Sequence, residues 1–175
     1  MWFELLKQPQ LGMGKVGLID LSNVPEEQDD KCRRKLIEIY EFWKTYQSSV
    51  SNTPSSFSRR IEKNVSIRLN RIEEVPEEIC CKFLSFLQKN ILATINRDGE
   101  PFREQYKGFH FELSSFSHLG EGELYITFKY DVSPRRPLIF GLTIWLSSYN
   151  DRDNLMLKSQ LADIAIFIDK QTKGF

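Results

Sequence analysis

An amphipathic helix that passes directly into a series of alternating segments constrains this chain most, and both lie within residues 75–146. Val75-Pro76-Glu77-Glu78 is typical of a helix start, because proline suits the first turn and acidic side chains suit the positive end of the helix dipole. Farther on, residues 124–129 alternate apolar and polar side chains, the pattern of an antiparallel strand with one buried face. This order predicts an α+β fold, in which an antiparallel sheet of four or five strands packs with N-terminal helices and a C-terminal helix.

Three segments have the apolar spacing of helices. The first helix is predicted to begin at Asn23-Val24-Pro25-Glu26-Glu27 and to fade at Ser48 into a polar loop. The second is predicted to end at Asn90. The third follows Tyr149-Asn150-Asp151, although residues 164–168 fit a strand as well. The predicted core residues of the three helices are Leu36, Ile39, Tyr40, Trp43, Tyr46, Ile79, Phe83, Phe86, Leu87, Leu157, Leu161, Ile164, Ala165 and Ile168.

The remaining segments carry the strand predictions. Residues 57–72 fit both a helical stripe and a strand, and we interpret them as helix or turn to Lys63 and as strand to Ile72. Residues 91–96 are predicted to form a short strand that turns at Asp98-Gly99, because glycine tolerates the positive φ of a tight hairpin. Another turn is predicted at Leu119-Gly120-Glu121-Gly122. Residues 138–146 are apolar on both faces and are predicted to form a central strand.

Length and charge bound the organisation of the protein. A chain of 175 residues has the length of one domain, and prolines and glycines near its start predict an N-terminal arm, residues 1–21, before a single domain, residues 22–175. Lys+Arg and Asp+Glu both total 24, and this balance argues against a nucleic-acid partner, which requires a basic face. No apolar run is long enough to predict a membrane span, and the first seven residues lack the regions of a signal peptide. We therefore expect a cytoplasmic protein without a membrane partner.

The three cysteines predict no framework of disulfides. Cys80 and Cys81 are neighbours on a predicted helix, where adjacent side chains point about 100° apart and are poorly placed to bond to each other. We interpret the cysteines as reduced thiols in an intracellular protein.

Residues that could carry catalysis are few. His110 lies between Phe109 and Phe111, with Glu112 as the nearest acid on its face, and His118 follows in the same region. A structural histidine is the favoured interpretation for such loose spacing. A group of two or more acids and a lysine is typical of metal-dependent nucleases, and the residues of these types here are Asp98, Glu100, Glu104 and Lys107. Their spacing does not bring two carboxylates to one metal ion, as such an enzyme requires. We predict no catalytic residues, no metal site and no cofactor, which favours a non-enzymatic protein and leaves an enzyme as the open alternative.

Residues 83–101, with Leu92-Ala93-Thr94 followed by Asp98-Gly99, resemble the opening of the flavin-binding split barrels. In that family a helix precedes a Leu-Ala-Thr strand and an Asp-Gly turn, and the barrel holds the flavin phosphate. The resemblance implies, as the alternative function, a small-molecule-binding protein of the flavin type with the turn at residues 97–101 near the ligand.

The first residues, Trp2-Phe3-Glu4-Leu5-Leu6-Lys7 before a glycine-rich arm, are similar to small uncharacterised proteins of tailed phages and related viruses. That resemblance implies a virion component that assembles through an extended arm. Together with the missing catalytic groups, it favours a non-enzymatic structural or assembly protein that contacts other protein subunits as a homo- or hetero-oligomer, in the cytoplasm or in a virion. The predicted contact residues are Trp2, Phe3, Leu5 and Leu6.

Overall fold

The computed structural model describes residues 26–52, 61–131, 137–148 and 154–175, and in the first helix it describes the side chains of residues 30–49. The chain divides between Lys31 and Cys32, and the contacts given below belong to the part that begins at Cys32. The predicted arm, residues 1–21, and the predicted helix start at Asn23-Val24-Pro25 lie outside the described residues. The helices are α1, Glu26–Asn52, α2, Glu77–Thr94, and α3, Asn154–Gln171.

Five strands form one antiparallel sheet, which confirms the predicted α+β class. The strands are β1, Ile61–Leu69, β2, Phe102–Tyr106, β3, Phe109–His118, β4, Glu121–Tyr130, and β5, Leu138–Ser148. Their order across the sheet is β1-β5-β4-β3-β2, so that β4 is central and β5 is an interior strand. Strands β2 to β5 form a meander, in which each strand pairs with the next one in sequence, and β1 pairs with β5.

Aromatic packing joins α2 to the sheet. The ring of Phe83 lies 5.3 Å from Phe111, 4.8 Å from Phe128 and 5.6 Å from Phe140, measured between ring centroids. All four side chains are fully buried. These three strand residues come from β3, β4 and β5, so a single side chain of α2 packs against three neighbouring strands.

A glycine lets α3 approach the sheet closely. A Cβ added at Gly122 of β4 would lie 3.2 Å from Cδ1 of Leu161 and 3.6 Å from Cβ of Leu157. Both leucines are buried, as the helical spacing predicts, and the helical interpretation of residues 164–168 is confirmed. α3 therefore packs on the same face of the sheet as α2.

The remaining helix, α1, contacts the other two helices. Trp43 Nε1 donates a hydrogen bond to Gln171 Oε1 at 3.1 Å, and the ring of Phe42 lies 4.9 Å from that of Phe167. The predicted inner residues of α1 are correct, since Leu36, Ile39 and Trp43 are buried and Tyr40 and Tyr46 are partly so. The helix continues to Asn52, past the loop predicted from Ser48.

Two strand predictions need correction. Residues 91–96 are not a strand, because α2 continues to Thr94 and a 3-10 turn follows from Ile95 to Arg97. Ile91 and Thr94 are fully buried, so the apolar stripe of the helix continues past Asn90. Part of the prediction for residues 57–72 is also wrong. A strand already begins at Ile61, two residues before the predicted turn ends, while residues 57–60 lie outside the described part.

Asp98-Gly99 connects the 3-10 turn to β2 and is not a hairpin, although Gly99 does have a positive φ of 87°. The tight hairpins lie at Lys107-Gly108 and Leu119-Gly120, where both residues of each pair have positive φ. Two such residues in a two-residue loop make a type I′ turn, which matches the twist of antiparallel strands. The turn at Leu119-Gly120 agrees with the sequence prediction. The turn at Lys107-Gly108 is not predicted, because lysine seldom adopts a positive φ.

A disulfide joins Cys32 of α1 to Cys81 of α2, 49 residues apart, with their Cα atoms 5.1 Å apart. The interpretation of all three cysteines as reduced thiols is therefore wrong for this pair. Cys80 is buried and lies outside the bond.

Candidate functional site

One face of the sheet has no helix on it in the described part of the chain. Alternation along each strand turns residues such as Phe111, Phe128 and Phe140 toward the helices and their neighbours toward the opposite side. We call that opposite side the outer face. Its residues, strand by strand, are Glu62, Asn64, Ser66 and Arg68 of β1, Gly141, Thr143, Trp145 and Ser147 of β5, Glu121, Glu123, Tyr125, Thr127 and Lys129 of β4, His110, Glu112, Ser114, Phe116 and His118 of β3, and Arg103 and Gln105 of β2.

Aromatic side chains occupy two neighbouring rows near the centre of the outer face, one of which is uncharged and the other of which also holds Glu123. Tyr125 is paired with Thr143 on one side and with Ser114 on the other. In the adjacent row, Trp145 and Phe116 flank Glu123. Aromatic rings that are half-buried on a flat sheet are the side chains that most often anchor protein interfaces.

Charge is divided between the two ends of the outer face. Glu62, Glu121 and Glu123 lie at the end formed by the start of β4, where Glu121 pairs in register with His118 and Ser147. Arg68 and Lys129 lie at the other end. A third cation at that end, Arg103, is 3.0 Å from Glu112 and is neutralised by it. Asp131 also lies at that end, with its Oδ2 2.7 Å from Nε2 of His110, so that the excess of positive charge there is small. The outer face is thus acidic at one end and weakly basic at the other.

Burial disfavours ionisation near the acidic end of the outer face. The pKa of Glu123 is raised by burial and, as the smaller cause, by the charge of Glu121. The pKa of Tyr125 is raised as well, first by burial and then by the charges of Glu112 and Glu123. Like charges thus add to the effect of burial, and an opposite charge placed beside Glu123 would favour its ionised form.

His110 has an acidic partner that its sequence neighbours do not reveal. Its Nε2 lies 2.7 Å from Oδ2 of Asp131, and Gln105 Nε2 lies 2.8 Å from the same ring nitrogen. Glu112, which shares the face of His110 as the sequence predicts, pairs with Arg103. A groove of about 360 Å³ lies beside His110 at the basic end of the outer face, and its lining includes Arg103, Gln105, Glu112, Thr127 and Lys129.

A larger groove, about 730 Å³, lies at the end of the sheet near the β2–β3 hairpin. Its two cations are neutralised by acids of the chain itself. Arg71 lies 3.8 Å from Glu74, and Lys107 lies 3.2 Å from Glu78. The Tyr106 hydroxyl also donates to Glu78, and these two hydrogen bonds lower the pKa of the Glu78 carboxyl. The groove therefore offers an anionic ligand no unpaired cation among its described residues.

The four nuclease-type residues do not converge. Asp98 accepts a hydrogen bond from Ser117 N at 2.9 Å, Glu100 is 3.3 Å from Arg97, and Lys107 binds Glu78. The turn at residues 97–101, where the alternative function placed a ligand, lines neither of the two grooves described above. The flavin-type alternative stays a prediction, which the visible absorbance of the purified protein tests.

The predicted contact residues lie outside the described part of the chain. These are Trp2, Phe3, Leu5 and Leu6. The sequence predicted Tyr125 on the polar side of an alternating strand, whereas Trp145 lies in a segment predicted to be apolar on both faces. Neither pattern tells which face the helices of the described ranges leave uncovered. None of the helices in the described ranges is long and apolar enough to cross a membrane. Comparison with protein-family models, with curated proteins and with solved structures finds no match to this chain.

Proposed function

We propose that this protein is a non-enzymatic structural or assembly protein, and that the outer face of its sheet is the surface through which two copies of the chain bind each other. The observation that carries the proposal is the division of charge on that face around an aromatic centre. A second copy supplies the complementary surface without any further partner. The N-terminal residues Trp2, Phe3, Leu5 and Leu6 are then the proposed contacts with additional subunits, and a virion is one assembly of this kind.

Two-fold symmetry makes the outer face complementary to itself. If the axis lies in the interface and runs perpendicular to the strands through the row of Tyr125, the acidic end of each copy lies on the basic end of the other. Glu121 of one copy then lies opposite Lys129 of the other, and the reciprocal pair forms at the same time. The formal net charge of zero adds no long-range repulsion to this approach.

The size of the outer face is sufficient for a specific contact. The five strands hold five to eleven residues each, and at about 3.4 Å per residue and about 4.8 Å per strand they cover an area of roughly 700 Å². Standard interfaces bury about 800 Å² on each partner. We therefore expect a specific dimer that dissociates reversibly.

The edges of the sheet are less suited to association than its face. In the described residues β1 and β2 do not pair with each other, so that both are edge strands. Charged side chains occur along both of them, including Lys63 and Arg68 on β1 and Arg103 and Glu104 on β2. Charges on edge strands oppose strand addition, which leaves the outer face as the favoured contact.

Sedimentation velocity over a wide range of protein concentrations tests the proposal. The wild-type chain should pass from 20.6 kDa to about 41 kDa, which is twice that mass, as concentration rises. Glu121→Lys and Lys129→Glu should each raise the dissociation constant of the dimer by about tenfold or more. Each substitution places like charges opposite each other at both of the symmetry-related contacts. An equimolar mixture of the two variants should recover the dimer, since both contacts between unlike copies are again of opposite sign.

Lys89→Glu is the matched control, because Lys89 is exposed on α2, in the helical layer. It makes the same change of charge as Lys129→Glu and should leave the dimer unchanged. A wild-type chain that stays at 20.6 kDa at all concentrations would overturn the proposal. So would a mixture of Glu121→Lys and Lys129→Glu chains that associates no better than either variant alone.

A further inference from the structure

Three side chains with metal-binding atoms meet between α1 and α2. Cys32 comes from α1, and Glu77 and Cys81 lie one turn apart on α2. The two sulfurs and a carboxylate oxygen of Glu77 all lie within 4.8 Å of one another. In the structure the sulfurs are joined as a disulfide. Thiolate sulfur and carboxylate oxygen are both ligands of Zn²⁺ in proteins.

The Glu77 carboxylate is held in place by the chain of α1. Its Oε2 accepts a hydrogen bond from Cys32 N at 2.5 Å, and its Oε1 accepts one from Arg33 N at 3.2 Å. Oε2 also lies 3.6 Å from Sγ of Cys81. Metal-binding carboxylates are characteristically oriented by hydrogen bonds of this type. The oxygen is therefore fixed beside the sulfurs whether or not they are bonded to each other.

Arg33 supplies a fixed positive charge beside the same group. Its Nη1 lies 4.0 Å from Oε1 of Glu77. Its Nε donates to Ile72 O at 3.2 Å and its Nη2 donates to Val75 O at 2.5 Å. The guanidinium thus stays within reach of the carboxylate and compensates its charge.

We propose that Cys32, Glu77 and Cys81 form a redox-gated site for a thiophilic divalent cation such as Zn²⁺, which binds when the disulfide is reduced. A dithiol reductant supplies two electrons and two protons, becomes a disulfide itself, and leaves two thiols on Cys32 and Cys81. The cation then displaces both thiol protons and forms two metal–sulfur bonds and one metal–oxygen bond. A small-molecule disulfide reverses the process by accepting two electrons from the thiolates and becoming two thiols, because re-forming the Cys32–Cys81 bond removes two of the three ligands and releases the cation.

Charge balance is the same in both states of the site. In the oxidised state Glu77 and Arg33 neutralise each other. In the metal-bound state two thiolates and one carboxylate carry three negative charges, which a divalent cation and Arg33 neutralise. Buried charges are tolerated when they are compensated in this way, and Cys32 is only 5% exposed. Three protein ligands leave one position of a tetrahedral Zn²⁺ for water or another ligand.

Titration of the full-length protein with Co²⁺, a coloured substitute for Zn²⁺, tests the site. Protein reduced with a phosphine and kept free of oxygen should bind one equivalent of Co²⁺ and show thiolate-to-cobalt charge-transfer absorption, which Zn²⁺ then removes. Oxidised protein should neither bind Co²⁺ at this site nor show the charge-transfer absorption. Cys32→Ala and Cys81→Ala should abolish the absorption, and Glu77→Gln should weaken Co²⁺ binding by more than about tenfold.

Two neighbouring substitutions are matched controls. Cys80→Ala removes the adjacent thiol, and Glu78→Gln removes the adjacent carboxylate, which binds Tyr106 and Lys107 instead. Both variants should bind Co²⁺ like the wild-type chain. Reduced wild-type protein that gives no charge-transfer absorption would overturn the proposal, and so would a signal that persists in Cys32→Ala or is lost in Cys80→Ala. A disulfide that cannot be reduced while the chain is folded would also overturn it.

Discussion

Glu123 is the residue on the outer face whose ionisation the fold opposes most clearly. Burial is the larger cause and the neighbouring charge of Glu121 is the smaller one, and both raise the pKa of its carboxyl above the ordinary value of 4.5. A raised pKa means that the folded chain holds the proton more tightly than the unfolded chain does. The group thus favours folding below its ordinary pKa, and that contribution is lost as pH rises through the folded value.

Glu123→Gln should therefore stabilise the monomer at pH 7, because glutamine carries no charge that burial and Glu121 disfavour. Because the side chain is only partly buried, we expect a gain of about 0.5 kcal/mol or less in the free energy of unfolding. The difference from wild type should vanish as the pH falls below 4.5. Urea denaturation at several pH values and low protein concentration measures it. Glu104→Gln, on the exposed edge strand β2, is the control, and an equal effect of both variants would contradict the argument.

At the scale of the elements, the Cys32–Cys81 disulfide is the covalent link between α1 and α2. It closes a loop across a sequence separation of 49 residues, and this loop contains all of β1. A cross-link over such a separation stabilises a fold chiefly by restricting the unfolded chain. The hydrogen bonds of Arg33 and Glu77 hold the same two helices together without it, so we expect the fold to survive reduction.

The double variant Cys32→Ala/Cys81→Ala should lose about 2–4 kcal/mol of unfolding free energy relative to the oxidised wild-type chain. Urea denaturation with a chelator present measures the loss, because the chelator excludes any stabilisation by metal. Wild-type protein reduced under the same conditions should shift in the same direction. Coinciding denaturation curves of oxidised and reduced wild-type protein would show that the cross-link contributes nothing.

For the whole molecule, the proposed assembly depends on two separate surfaces. In that proposal the outer face of the sheet joins two copies, and the N-terminal residues Trp2, Phe3, Leu5 and Leu6 contact further subunits. Deletion of residues 1–21 should therefore leave the dimer intact and remove any species larger than about 41 kDa, twice the mass of 20.6 kDa. Size-exclusion chromatography with light scattering measures both. If the shortened chain formed every larger species of the full chain, the arm would have no role in assembly.

Local patterns in the sequence predicted the types of most elements. The spacing of Leu36, Ile39 and Trp43 indicates the buried side of α1, and alternation from residue 124 to 129 indicates a half-buried strand. Such patterns arise because helices and strands repeat their side-chain directions with fixed periods. They failed at residues 91–96, where a short apolar run fits either period, and at Asp98-Gly99, where a connection between a helix and a strand has the same composition as a hairpin.

The sequence by itself therefore determined the α+β class, the buried sides of the helices and the alternation of β4, since each depends on residues close together in the chain. Only the tertiary structure decided the strand order, the bond between Cys32 and Cys81 and the pairing of His110 with Asp131. It also decided which side of the sheet the helices leave uncovered. These features depend on contacts between residues far apart in the chain, and periodicity carries no information about which distant segments meet.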